Sequence, residues 1–107
     1  MFTRVVEITA KTGKSHELAN TINEKVLPIL KKQPGFVDET VLLSAAEPDR
    51  VLAMSFWNKP EDAERYHNKE YKTVRETVQH LFEAEPVIRT FNVHSSTTHR
   101  IAAGKAA

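Results

Sequence analysis

The chain has 107 residues, 40% of them apolar and 27% charged, with 15 Lys and Arg against 14 Asp and Glu for a net charge of +1. That length bounds it to one domain able to bury roughly 60–70% of its unfolded surface, and the composition argues against disorder. The balanced charge gives no steering toward nucleic acid or membrane, and the absence of cysteine excludes disulfides, thiolate metal sites and Cys nucleophiles.

In chain order, Phe2 to Thr9 is rich in β-branched residues and reads as a first strand. It carries charges where a signal peptide needs an apolar run, and no segment approaches the ~18 apolar residues of a membrane span. A soluble, cytoplasmic protein is expected. Ser15 is the candidate N-cap of a first helix, and Glu17 suits the helix start. From there Leu18, Ile22, Val26, Ile29 and Leu30 recur at helical spacing. Pro28 falls inside that pattern, where it removes a backbone donor and clashes one turn back, so a kink or broken last turn is predicted. Gln33-Pro34-Gly35 then stops the helix.

Phe36 to Ser44 is the second predicted strand and 50–58 the third, joined by the turn Ala46-Glu47-Pro48-Asp49. Pro60 suits the first turn of a second helix, with Glu61 and Asp62 complementing its positive end. Asn68 is its expected end. A longer helix follows, with Tyr71, Val74, Val78, Leu81 and Phe82 on one face. Glu85-Pro86 breaks it, and Val87 to His94 is the fourth strand. Residues 95–107 read as a small, polar tail, mobile or an arm.

The order β-α-β-β-α-β predicts an α+β, ferredoxin-like fold, with an antiparallel four-stranded sheet and helices on one face. Both faces of that sheet carry apolar residues: Val6 and Ile8 against Val5, and Val51, Ala53 and Trp57 against Leu52, Met54 and Phe56. The helices cover only one. A monomer would expose too large an apolar patch, so a homodimer through the open sheet face is expected.

Several segments together resemble the antibiotic biosynthesis monooxygenase-like family of the dimeric α/β-barrel superfamily, over about residues 2–94. They are Val5-Val6-Glu7-Ile8, Leu27-Pro28-Ile29-Leu30, Gln33-Pro34-Gly35-Phe36, Phe56-Trp57 followed by Pro60-Glu61-Asp62-Ala63, and Glu70-Tyr71-Lys72. The resemblance implies a dimeric barrel with a pocket between sheet and helices in each protomer. It also implies a range of chemistries, from cofactor-independent oxygenation of aromatic polyketides and quinols to haem degradation, so fold alone selects none. The haem-degrading branch uses an Asn, a Trp and a His at positions where this chain has Val6 or Glu7, Tyr66 and Glu76, which disfavours that reaction.

The implied pocket draws attention to the stretch from Trp57 to Tyr71. Trp57 is a candidate to stack on a flat aromatic substrate, or else core packing. Tyr66 and His67 are the candidate catalytic residues, with His67 as general base near neutral pH, against the alternative of a surface histidine among charges. In a cofactor-free oxygenase the protein binds, deprotonates and shields an electron-rich substrate that reacts with oxygen itself. Tyr71, Arg89 and Asn92 complete the candidate substrate-binding set, with His94 beside Asn92. Arg89 lies on a mostly apolar face and needs a partner, Glu7 or Glu39, unless it binds an anionic substrate.

The five histidines show no paired ligand spacing, and no Gly-rich phosphate loop exists, so neither metal nor cofactor is expected. The central strands carry Val, Ala, Glu and Thr where an RNA-binding sheet shows aromatics beside basic residues, so no nucleic-acid partner is expected. The reading is a cofactor-independent monooxygenase of a small aromatic, quinol- or polyketide-like metabolite. The alternatives are a non-catalytic dimeric ligand-binding or scaffold module, and haem binding without degradation.

Overall fold

Alternating apolar and polar side chains build four short strands, and each pairs antiparallel with its neighbours. The computed structural model describes residues 1–101 and contains β1 (Phe2–Thr9), β2 (Phe36–Leu43), β3 (Arg50–Trp57) and β4 (Val87–Asn92) in the order β2-β3-β1-β4. This is the predicted ferredoxin-like α+β arrangement, with β1 central because it follows no hairpin and pairs on both sides. The fourth strand ends at Asn92, two residues earlier than expected.

All helices pack on the same sheet face. Their apolar stripes meet Val6, Ile8, Val51 and Trp57, and the core also takes Leu18, Ile22, Val26, Leu30, Ala63, Tyr66, Val74, Val78 and Leu81. The first helix begins at Ser15 itself. Lys14 occupies the cap position and no side chain caps the end, so the expected Ser15 cap is absent. The segment around Pro28 is neither kinked nor broken in the expected way. α1 (Ser15–Thr21) widens into a π-helical stretch, Ile22–Val26, before α2 (Leu27–Lys31) resumes with Pro28 in its first turn. A wider turn ahead of the proline relieves the clash its ring would make with the preceding carbonyls.

Gly35 joins α2 to β2 at φ +81°, a left-handed conformation that favours glycine, and a Cβ there would land on the side chain of Asp62. Its carbonyl accepts the Asn58 N–H at 2.9 Å, which ties the start of β2 to the end of β3. From that junction α3 (Pro60–Lys69) departs, with Pro60 in its first turn and Glu61 and Asp62 at its positive end. It extends through Asn68 to Lys69. Glu70 then breaks the helix at φ −120°, and α4 (Tyr71–Val78) ends in a 3-10 turn, Gln79–Leu81.

The opposite sheet face has no helix. It presents Val5, Leu42, Leu52, Met54, Val87 and Phe91, with Leu42, Val87 and Phe91 among the exposed large apolar side chains. Part of it is covered from within the chain. Val93 continues past β4 by donating to the Met1 carbonyl, Ser96 pairs with Ile101, and His99 packs on Phe56 with ring centres 4.8 Å apart. The tail expected over 95–107 is therefore folded over its described part, 95–101, and residues 102–107 lie outside the described residues.

Candidate functional site

Between sheet and helices lies a cavity of about 50 Å³, room for a few waters. Its floor is one row of polar residues across three strands: Glu39 pairs with Ser55, and Ser55 pairs with Arg4. All three line the cavity, together with Tyr66 of α3 and Tyr71 and Arg75 of α4. The remaining walls are apolar. Ile22 and Val26 of the π-helical stretch and Val78 and Phe82 on either side of the 3-10 turn form two of them. Irregular helical turns of this kind are frequent at functional sites.

Arg4 is the residue that sequence reasoning missed. It is 5% exposed, because it alternates in phase with Val6 and Ile8 and so points under the helices. No carboxylate pairs with it among the ion pairs of the described residues. Its guanidinium instead lies 4.5 Å from the centre of the Tyr71 ring and 5.4 Å from that of Tyr66, and one Nη2 hydrogen bonds His67 Nδ1 at 3.1 Å. Burial lowers its pKa while the two tyrosines oppose the shift, but an arginine remains charged throughout the physiological range. A buried cation held only by aromatic faces and one imidazole has capacity left for an anion.

Glu39 was considered only as a partner for Arg89. It faces the cavity because β2 carries a bulge at Val37, which shifts the register between Phe36 and Asp38 and turns Glu39 inward. Its Oε1 is buried without a hydrogen-bond partner. Burial first, and Asp38 second, push its carboxyl up to about 7.

The predicted residues divide into three groups. Tyr66 and Tyr71 line the cavity. Tyr66 is buried, and burial outweighs the neighbouring Arg4 in raising its hydroxyl to about 12, so it stays protonated and able to donate. His67 is stacked on Tyr71 at 5.0 Å and faces an outer cleft that Arg4 also lines, with Phe2, Pro60, Ala63, Glu64, Ile88 and Thr90. An arginine only donates, so His67 Nδ1 accepts and its proton rests on Nε2. Burial, then Arg4, lower its pKa. The lone pair a general base would use is turned to Arg4, away from the cavity.

Trp57 is fully buried behind the cavity rather than lining it. Its indole N–H donates to Ser55 Oγ at 2.9 Å, and its ring meets Phe36 edge-on at 5.6 Å and Tyr66 at 5.3 Å. It serves as a wall that fixes Ser55 and Tyr66, contacts that match the core-packing alternative for this residue. Arg89 is on the other face of the sheet, 2.8 Å from Glu7 Oε2, and cannot reach the cavity. Asn92, opposite Phe2 at the exposed end of β4, does not line it either. Among the described residues no cluster of three or more His, Asp or Glu is arranged to hold a metal ion, and no helix is long and apolar enough to cross a membrane.

The profile of the antibiotic biosynthesis monooxygenase family matches residues 1–76. Comparison with curated protein sequences finds no match. Among solved structures, the monooxygenase ActVA-Orf6 of Streptomyces coelicolor, in complex with nanaomycin D, superposes with a TM-score of 0.76 at 17% identity, over 89% of this chain and 88% of its own. A variant of SnoaB, a cofactor-independent oxygenase from Streptomyces nogalater, superposes at 0.73 with 18% identity, over 90% and 95%. The protein NE2512 of Nitrosomonas europaea, of unknown function, superposes at 0.74 with 15% identity, over 90% and 91%. At such identities the structural likenesses speak for the fold.

Proposed function

The chain belongs to the antibiotic biosynthesis monooxygenase family, and from that premise we propose that it is a cofactor-independent monooxygenase of a small, flat, acidic aromatic metabolite. The observation that carries the proposal is Arg4, a guanidinium buried in a mostly apolar cavity and outside any ion pair of the described residues. An electron-rich phenol or enol reacts with dioxygen only after it ionises. The protein's task is to stabilise that anion and keep water away. A fixed cation in a dry cavity does so far more effectively than in water, because the surrounding dielectric is low and no solvent must reorganise.

In this reading the substrate lies against the floor row Glu39-Ser55-Arg4. Its ionised oxygen meets the Arg4 guanidinium, and the Tyr66 hydroxyl donates a second hydrogen bond. Tyr71 packs on the opposite side of the guanidinium. His67 is a positioning residue: its Nδ1 holds one Arg4 N–H and aims the rest of the guanidinium into the cavity. Trp57 holds Ser55 and Tyr66 in place. The cavity must widen to admit a ring system, since ligand pockets commonly enclose roughly 300 Å³ or more. The π-helical and 3-10 walls are where that widening occurs.

The same reading includes a homodimer. Exposed Leu42, Val87 and Phe91 share the open sheet face with Val5, Leu52 and Met54, an apolar surface of the kind that two-fold partners bury. Light scattering should give twice 12.1 kDa, and Phe91→Asp should shift the mass toward the monomer.

Oxygen uptake tests the activity. A panel of hydroxyanthrones and naphthoquinols should include at least one compound oxidised at a protein-dependent rate without added flavin or metal. Binding without uptake across the panel would instead support a non-catalytic ligand-binding module, and the oxygenase reading would be abandoned.

A further inference from the structure

We propose that Glu39 is the proton acceptor of this cavity, working opposite the Arg4 cation. The inference rests on the monooxygenase reading and assigns the residue that takes the proton in its first step.

Glu39, Ser55 and Arg4 are consecutive cross-strand partners on β2, β3 and β1. Neighbouring strands lie about 4.8 Å apart, so the backbones of Glu39 and Arg4 are roughly 10 Å apart with Ser55 between them. Their side chains line one cavity from its two sides. Neither joins an ion pair among those of the described residues. Glu39 Oε1 is buried with no donor, which costs about 1–3 kcal/mol if nothing binds there. An uncompensated acceptor and an uncompensated cation thus face one space across a single residue.

One molecule can satisfy both. It presents an acidic hydrogen to Glu39 and a carbonyl oxygen to Arg4, with a conjugated ring between. The C–H or O–H bond breaks, the proton goes to the Glu39 carboxylate, and the electron pair enters the ring. The negative charge then comes to rest on the carbonyl oxygen beside the guanidinium. Nothing is oxidised in this step, and dioxygen accepts electrons only afterwards.

Charge around Glu39 is consistent with the role. Arg4 faces the cavity from β1, Tyr66 from α3, and Tyr71 and Arg75 from α4, while the π-helical stretch and α2 contribute apolar Ile22, Val26 and Leu30. Asp38, next in the chain, is on the open face. With its carboxyl pushed up to about 7, Glu39 is both partly ionised and basic enough to accept a proton at neutral pH.

The probe is 1,8-dihydroxyanthrone, whose acidic C–H lies across the central ring from its carbonyl. Wild type, Glu39→Gln and Glu39→Asp are mixed with it without oxygen, and ionisation of the bound probe is followed by absorbance in stopped flow. Oxygen uptake is then measured against pH. Glu39→Gln should bind the probe within about threefold of wild type, ionise it roughly 100-fold more slowly or worse, and lose the rise in rate near pH 7. Glu39→Asp should keep that rise at a reduced rate. If Glu39→Gln ionises the probe at the wild-type rate with the pH profile intact, Glu39 is not the acceptor, although wild-type uptake still upholds the monooxygenase reading. If wild type ionises the probe but takes up no oxygen, the acceptor stands and the monooxygenase reading falls. If wild type does not bind the probe, the acceptor proposal falls, and oxygen uptake across the panel decides the monooxygenase reading. Should Glu39→Gln fail to fold, a carboxyl titration of ligand-free wild type by carbon NMR decides, since a Glu39 that titrates near 4.5 overturns the proposal.

Discussion

The two faces of the sheet treat charge in opposite ways. On the open face Glu7 is paired with both Arg50 and Arg89, and these groups stand partly in water. On the helix-covered face Arg4 and Glu39 line one cavity, outside any ion pair of the described residues. Burying a charge without a partner costs several kcal/mol, whereas an exposed pair contributes at most about 1 kcal/mol. A fold gains nothing structural from unpaired charge under its helices. In the proposed reading, the covered face is the one that works on a ligand, and on the open face charge is a surface detail among apolar residues that a second copy would cover.

Substitutions on each face test that contrast. The largest effect is expected from Arg4→Gln. Oxygen uptake should fall by at least about 100-fold, as for the loss of a preorganised charge at a developing oxyanion. Thermal stability should hold or rise, since an unpaired buried charge is removed. A stability loss comparable to the activity loss would mean that Arg4 serves the fold. Trp57→Phe comes next: it removes the indole donor to Ser55 and should cost about 1–3 kcal/mol in denaturant unfolding. His67→Ala should lower turnover by about 3- to 10-fold without shifting its pH profile, because His67 aims Arg4 rather than accepting the proton.

A subtler effect concerns Glu39 and stability against pH. Its folded pKa, about 7, lies above the ordinary 4.5, so the folded state binds more protons between those values. Stability from this group is complete below about pH 4.5 and is lost as pH rises toward 7. Glu39→Gln should match wild type at pH 4 and exceed it above pH 7 in thermal melts. The smallest effect belongs to Arg89→Ala. Glu7 keeps Arg50, so less than 1 kcal/mol of stability and less than a twofold change in uptake are expected.

Much of this was legible in the chain. Alternation in β1 and β3, Pro60 at a helix start and Gly35 after Pro34 point to the fold, because each reports a local constraint that tertiary packing does not override. The order of elements then restricts the topology. The site was harder to read. Arg4 is in phase with Val6 and Ile8, and a charge on an apolar face needs a reason, more strongly at Arg4 than at Arg89. Glu39 was not legible: counting alternation from Phe36 places Asp38 inside and Glu39 outside, and only the bulge at Val37 reverses them. The π-helical stretch was equally hidden, since Pro28 announces a disturbance without specifying its form. Trp57 was located correctly at a strand end, but its packing between Phe36, Tyr66 and Ser55 is a property of three elements meeting.

The most direct test compares two arginine substitutions of identical chemistry, Arg4→Gln and Arg89→Gln, by oxygen uptake with a hydroxyanthrone that wild type oxidises. Both proteins are first shown folded by circular dichroism. The account predicts a loss of about 100-fold or more for Arg4→Gln and a rate within twofold of wild type for Arg89→Gln. Equal rates for the two variants, or a larger loss at Arg89, would contradict the assignment of the chemistry to the helix-covered face.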